Sequence, residues 1–465
     1  MNEVPWDVVD IYTKHRPDSN IAEMLRDGQS LTTIHEDREE QQGLQPWRTW
    51  PTLHMSTYAH NSFDLGQDPT TFVGDPIWDV AEQAGLSVGL FGPMQSWPAR
   101  QFRSGGFYVP DTFSQDAKTY PAALESFQAF NLAMTSENGF SPDAGLGPKM
   151  LAKTALDLLR EGLTPRTTAT LATHLVKERI DPRYKAFRSA MQAPLSFDLY
   201  WKLHKKSRPR LSIFFTNHVA GMMHRFWGDG MPGYTEKYDY TADELYGSFI
   251  VAAMDIADRQ IGRIRKYMAK NPASMLVLAA SMGQGPVEVP KLEGGLFVLD
   301  DHNTLGNKLG LNAVGAGLAM YPMLSLVFAT EEEAQAAVAP LESVTVEGKG
   351  QLFARVRVEG KSVAFGIDYA LGSDESSVLR YRAAGADAET TAKPADLGLS
   401  VQPRIGGVNT GYHIPEGILI AYGAGVSADP SRKEVDVLDV APSLLANALG
   451  VDPAPSMQGI PTLFG

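Results

Sequence analysis

Hydroxyl, imidazole and amide side chains gather in four short segments of this sequence. In QPWRTWPTLHMSTYAHN (Gln45–Asn61), Thr49 stands between two tryptophans and before Pro51. A hydroxyl presented in a proline-punctuated turn becomes a nucleophile when a metal or a base lowers its pKa. The plainer alternative is an aromatic anchor, with Trp47 and Trp50 packing the loop. In FFTNHVAGMMHRFW (Phe214–Trp227), Asn217, His218 and His224 follow an apolar run. Imidazole and amide oxygen are both metal ligands. His218 and His224 lack the i,i+4 spacing that puts two histidines on one helical face, so different roles are expected of them. A core histidine and a capping Asn would account for the same residues. In LAASMGQGP (Leu278–Pro286), Ser281 and Gln284 offer polar atoms, and Gly283 and Gly285 permit close backbone approach; a plain strand-ending turn is the alternative. In NTGYHIPEGILIAYG (Asn409–Gly423), His413 precedes Pro415 and another apolar run, as a site residue or as a turn histidine. Two further clusters rank lower. His35-Glu36-Asp37, followed by Arg38-Glu39-Glu40, is metal-compatible but reads more readily as a solvated charge run. The basic run Lys202–Arg210 reads as exposed surface.

The composition narrows what these residues can hold. There is no cysteine, which excludes a disulfide framework, a thiolate zinc site and a cysteine nucleophile. Any metal must therefore be held by His, oxygen donors or amides. Lys and Arg number 41 against 54 Asp and Glu, a net charge of −13, which disfavours a polyanion binder. With 43% hydrophobic and 20% charged residues the chain reads as globular. The amino-terminal stretch is too polar for a signal peptide, and no segment offers the ~18 apolar residues of a membrane span. The expectation is a cytoplasmic protein with a small-molecule substrate, no nucleic-acid or membrane partner, and an open oligomeric state.

Elements able to position the four segments alternate along the chain. Apolar runs at Leu86–Phe91, Leu211–Thr216, Met275–Ala280 and Gly417–Tyr422 read as buried strands. Helical periodicity covers Ile77–Ala84, Gly147–Arg160, Pro165–Glu178, Ala242–Lys270 and Val437–Leu449; in the longest, Ile250, Met254, Ile261 and Ile264 share a face. The pattern predicts an α/β fold with a central, mostly parallel sheet flanked by helices. In such a sheet sites form at the carboxyl ends of strands; the second and third segments lie there, and His413 sits on a loop at a strand's edge. Residues 286–404 differ: a helical EEEAQAAVAPLESV precedes strand pairs with turns at Gly348–Gly350 and Glu359–Gly360. They read as a small α+β insertion or cap, leaving 1–285 and 405–465 as the core.

Taken in order, the segments resemble the alkaline phosphatase superfamily, particularly its type I phosphodiesterase/nucleotide pyrophosphatase and sulfatase-like branches. RTWPTLHMSTYAHN is similar to the family's nucleophile loop, which places Thr49 at the nucleophile and His60-Asn61 at the following turn. IWDVAEQAGLSVGLFGPMQSWP resembles the family's helix–strand step. FFTNHVAGMMHRFW matches the strand carrying an Asp and then a His, and YTADELYGSFIVAAMDIADRQIGRI the long helix after it. GYHIPEGILIAYGAG with VDVLDVAPSLLANALGVDPAPSMQGIP resembles the family's ending. The resemblance implies a phosphoester, phosphonate or sulfoester as substrate, and a centre of two metals held by Asp and His.

The departures concern that metal centre. The nearest candidate for the first-strand Asp is Asp10. Asn217 stands at the next Asp position, and the usual Asp-His reads Ser281-Met282. Met is too soft a ligand for a phosphoryl-transfer metal. His413 remains, with either His218 or His224 as the second histidine. The implied centre is therefore reduced: one divalent metal (Zn, Mn or Fe) on His413, His224, His218 or Asn217, or none. The catalytic candidates are Thr49, His413 and His224; Asn217, Ser281, Gln284 and Trp50 are candidates for binding substrate. Two functions follow: a hydrolase or group-transfer enzyme acting through Thr49, or a pseudoenzyme that keeps the fold to bind a ligand or partner. The aromatic set Trp47, Trp50, Trp97, Phe107 and Trp227 offers a pocket lining, though most of it reads as core.

Overall fold

The computed structural model describes residues 1–36, 44–60, 69–136, 157–289, 294–317, 319, 323–368, 371–402 and 409–464. The chain divides into two compact units. The described residues of Met1–Leu132, Leu146–Val289 and Gly406–Gly465 form the first, and those of Ala133–Gly145 and Pro290–Ile405 the second.

The first unit is α/β and contains two main sheets. Gly106–Val109, Val88–Phe91 and Leu211–Phe214 lie side by side, all parallel. The other sheet has the order Asp429–Asp436, Gln29–Ile34, Glu416–Gly423, Met275–Ala279. Its first pair is parallel and the next two are antiparallel. One mostly parallel central sheet was the expectation, and the difference has a geometric cause. Glu416–Gly423 and Asp429–Asp436 are consecutive and run in opposite directions, so a strand lying between them must be parallel to one and antiparallel to the other. That strand, Gln29–Ile34, is one the sequence pattern misses, as it misses Gly106–Val109 and Asp429–Asp436: QSLTTI has only Leu31 and Ile34 as strong apolar residues. Its burial comes from the neighbours on both sides, not from its own composition.

The other elements follow their chemistry closely. Ile250, Met254 and Ile261 are buried along Phe249–Met268, whose last turn carries Arg265 and Lys266 against the helix dipole. The expected single helix from Ala242 is broken: Glu244–Gly247 forms a separate turn capped by Asp243. At Gly247 a Cβ would stand 2.7 Å from the Asp229 carbonyl oxygen, so the chain bends where that backbone approaches. Val437–Leu449 is likewise not one α-helix but a 3-10 turn, an α turn and a π turn in succession. Pro442 removes an N–H from the middle of it. The helix expected at Gly147–Arg160 falls mostly outside the described residues. Among the described residues no helix is long and apolar enough to cross a membrane.

The helix Pro46–Met55 packs on the mixed sheet, where Trp50 and Leu53 join Met94, Leu31, Leu419 and Val437 in one apolar cluster. Each such side chain, fully buried, stabilises by about 1.5–3 kcal/mol. Pro46 opens the helix, where its missing N–H costs nothing. Ser56 closes it in the left-handed region (φ 54°), its hydroxyl donating to the Leu438 carbonyl at 2.7 Å.

The second unit is α+β. An antiparallel sheet of Phe353–Glu359, Ser362–Ile367, Met323–Phe328 and Ala313–Ala316 carries Glu331–Glu342, a helix with a Thr330/Glu333 capping box. Its own core includes Phe297, Leu326, Phe328, Leu341, Phe353 and Phe365.

Candidate functional site

The site begins with a cross-strand pair. Gly283–Pro286 and Gly411–Ile414 pair antiparallel, with Gln284 directly opposite His413. The helix His218–Gly230 lies against this ribbon. Thr410 accepts from the Gly228 backbone N–H at 2.9 Å, and the His224 Nδ1 meets the Gly411 carbonyl oxygen at 2.9 Å. Position 411 has no room for a side chain, since a Cβ there would lie 2.6 Å from the Met223 carbonyl oxygen. These contacts leave the Nε2 atoms of His224 and His413 facing one point, with ring centroids 5.2 Å apart.

Glu3 occupies that point. Its Oε2 lies 2.9 Å from His224 Nε2 and 3.5 Å from His413 Nε2, and it accepts a short hydrogen bond from Gln284 Nε2. Its Oε1 accepts from Asn2 Nδ2 at 2.5 Å. Burial alone would raise the Glu3 carboxyl. The His413 and His224 imidazoles outweigh it and hold the group well below the usual carboxylate range. Burial would lower His224, and the Glu3 charge raises it on balance.

Asn2 ties this cluster to its surroundings. Its Oδ1 accepts from Trp50 Nε1 at 2.7 Å, and its Nδ2 donates to Asn217 Oδ1 at 2.7 Å. Thr49, one residue before Trp50, is fully buried, with its Oγ1 2.8 Å from the Ser281 Oγ. Thus Ser281 meets Thr49, Gln284 meets Glu3, and Asn217 joins His224 and His413 through Asn2 and Glu3.

Several expectations need correction. Thr49 is not in a turn but inside the helix Pro46–Met55, because Pro46 starts a helix there and Pro51 is absorbed within it. His218 is not available as a ligand: Nδ1 lies 2.7 Å from Thr216 Oγ1 and Nε2 3.0 Å from the Ala253 carbonyl oxygen. Burial lowers its pKa to about 4, which keeps it neutral. Asn217 is exposed and engages Asn2, outside the histidine cluster. Trp50 is buried and holds Asn2, with its ring edge-on to Phe215. Asp10 is on the helix Trp6–His15, paired at the surface with Arg432 at 2.5 Å, and is remote from the role of first-strand Asp. His35, read as part of a solvated run, is fully buried and edge-on to Tyr58; Asp37, Arg38, Glu39 and Glu40 lie outside the described residues. His60 is buried, its Nε2 3.0 Å from the Val73 carbonyl oxygen, and Asn61 is outside the described residues. Of the aromatic set, Trp50, Phe107 and Trp227 are core. A cavity of about 610 Å³, lined by Ile34, Glu36, Tyr58, Glu434, Val435 and Asp436, contains none of the residues named for catalysis.

Glu3 was missed. Nothing in its spacing relates it to two histidines more than 200 residues later, and only the fold brings them together.

One carboxylate and two imidazoles are a donor set for one divalent cation. The three ligand atoms lie within 4.8 Å of one another, and among the described residues this is the one such group. Ligands at about 2.1 Å in a tetrahedral shell stand roughly 3.4 Å apart, close to the observed spacing. The donors fit one cation; a second has no comparable set among the described residues.

No family model matches the chain, and no curated protein does. Solved structures do. A mutant of the alkaline phosphatase PafA matches over 99% of this chain and 96% of its own, at 13% identity and a TM-score of 0.43. An inactive form of murine ectonucleotide pyrophosphatase/phosphodiesterase 5, in complex with AMP, matches over 98% and 94%, at 12% identity and a TM-score of 0.32. At these scores the likeness carries nothing about activity, which rests on the residues.

Proposed function

We propose that the chain is a hydrolase or group-transfer enzyme for a phosphoester, phosphonate or sulfoester, with a centre reduced to one cation site. The observation that carries this is the convergence of His224 and His413 on a buried carboxylate. Glu3, His224 and His413 would hold the cation; when bound, it supplies positive charge to polarise the ester and stabilise the transferred oxyanion. Thr49 supplies the hydroxyl that attacks or orients the substrate, with Ser281 fixing its direction. Gln284 holds Glu3 in place, and the Gly411 carbonyl fixes the His224 tautomer so that Nε2 faces the centre.

Metal analysis of protein purified without chelator, with Thr49→Ala and His413→Ala alongside, tests this. The expected result is one equivalent or less of Zn, Mn or Fe, lost in His413→Ala, with ester turnover lost in both variants. No metal together with no turnover of any phospho- or sulfoester sinks the enzyme reading. A second reading, a pseudoenzyme that binds a ligand or partner, draws support from the complete burial of Thr49 and from the way the chain's own Glu3 fills the centre.

A further inference from the structure

Glu3 is held as a bound anion would be held. Three side-chain nitrogens, from His224, His413 and Gln284, face its Oε2, and a fourth, from Asn2, its Oε1. The receptor half of this arrangement is built into secondary structure. His413 and Gln284 are opposed in a strand pair, and His224 is on a helix that is bonded to that pair through Gly411. The occupant is not. Glu3 lies before the helix Trp6–His15 in a left-handed conformation (φ 57°) that non-glycine residues seldom adopt. Around it, Asn2 N–H donates to the Thr216 carbonyl at 3.0 Å and the Val4 carbonyl accepts from Ile418 N–H at 3.3 Å. His224 retains side-chain exposure of 25% while Glu3 has 2%, so the receptor has an open side and the occupant sits inside it.

We infer that Asn2–Glu3 is an internal strap whose carboxylate takes the position of a ligand oxyanion, and that an external oxyanion binds this receptor by displacing it. A carboxylate oxygen and a phosphoryl or sulfuryl oxygen make the same demand on imidazole and amide N–H donors. In the cation-free protein Glu3 is then the exchangeable member of the cluster, and His224, His413 and Gln284 are the fixed ones. The inference rests on the reading above for the displacing group, an ester oxyanion. It adds that access to the centre is regulated by a residue of the chain itself. An internal occupant lowers apparent affinity by the fraction of time it is away, so removing it should tighten binding with no new contact.

The test is a calorimetric titration of inorganic phosphate and inorganic sulfate into the full chain, after chelator treatment, for the unaltered protein, Glu3→Ala and Asn2→Ala. Glu3→Ala should bind both anions at least about tenfold more tightly. Asn2→Ala, which keeps the carboxylate but loosens its hold, should fall between. Acetate, which replaces the lost carboxylate, should bind Glu3→Ala and raise its Tm, and do neither to the unaltered protein. A folded Glu3→Ala that binds phosphate and sulfate no better than the unaltered chain overturns the inference. If Glu3→Ala does not fold, unchanged affinity in Asn2→Ala overturns it. Because binding is read without turnover, the two ideas fail separately: tighter binding with no ester hydrolysed in any form sinks the enzyme reading and leaves the strap standing.

Discussion

Gln284 and His413 stand opposite each other in an antiparallel strand pair, and both side chains reach the same oxygen of Glu3. Two residues from distant parts of the chain thus act as one receptor, with an orientation set by backbone pairing.

His224→Ala removes one of the two imidazoles that keep Glu3 ionised in a buried setting. Breaking a buried pair from one side costs about 3–5 kcal/mol. Denaturant unfolding should show a loss of that order, and the double variant Glu3→Gln/His224→Ala should recover part of it. Strictly additive losses would show that the two side chains do not interact.

Thr49→Val keeps the shape of the side chain and deletes its hydroxyl. Ser281 Oγ, buried with it, then loses its partner at a cost of about 1–3 kcal/mol. Adding Ser281→Ala should cost less than the sum of the two single changes, and Thr49→Ser should retain both stability and any turnover. A Thr49→Val protein as stable as the parent would place the hydroxyl pair outside the energetics of the fold.

Acid should weaken the protein before its carboxylates titrate. His218 is buried neutral with a pKa of about 4 against 6.5 when free. Between those values the unfolded chain binds the proton and the native state does not, so stability rises with pH and is lost as pH falls from 6.5 towards 4. A shift of this size corresponds to on the order of 3 kcal/mol. His54, lowered by burial to about 3, acts in the same direction. In the Glu3–His224 pair the carboxyl, depressed in the fold, acts in the same direction, its contribution present above about pH 4.5 and lost below; only the imidazole, raised in the fold, has the opposite sign, its contribution full below about pH 6.5 and lost as pH rises further. Thermal melts of His218→Gln should be flatter between pH 6.5 and 4 than those of the parent. Identical slopes would assign the acid sensitivity elsewhere.

Gly411→Ala would place a methyl group 2.6 Å from the Met223 carbonyl oxygen, forcing the helix that carries His224 away from the strand. Overpacking of this kind costs typically 1–3 kcal/mol. The variant should also bind Zn more weakly by titration, since the His224 Nδ1 anchor moves with it. Asp10→Ala is the control: it loses a surface pair with Arg432 and should leave both metal binding and turnover unchanged.

How far the sequence could be read depends on the range of the forces involved. Strong apolar runs such as LSIFFT and MLVLAA form strands near where they are expected, because alternation and β-branched content act over a few residues. Gln29–Ile34 escapes notice because its burial is conferred by its partners. The position of Thr49 inside a helix depends on Pro46 starting a turn that Pro51 does not break, which its proline-punctuated surroundings do not announce.

The amino-acid order alone settled the chemistry on offer. The absence of cysteine excludes a thiolate site, and the family resemblance puts Asn217, Ser281 and Met282 where carboxylates and an imidazole would stand, which disfavours an unmodified two-metal centre. Donor type belongs to the residue and survives in any conformation. Folding in three dimensions chose which donors meet. It turned His218 into a hydrogen-bonded core residue, joined His224 to His413, and brought Glu3 between them. Those partnerships span most of the chain, and a contact between residues 3, 224 and 413 leaves no trace in local periodicity. It exists only because a helix, a strand pair and the segment before the first helix are packed at one place.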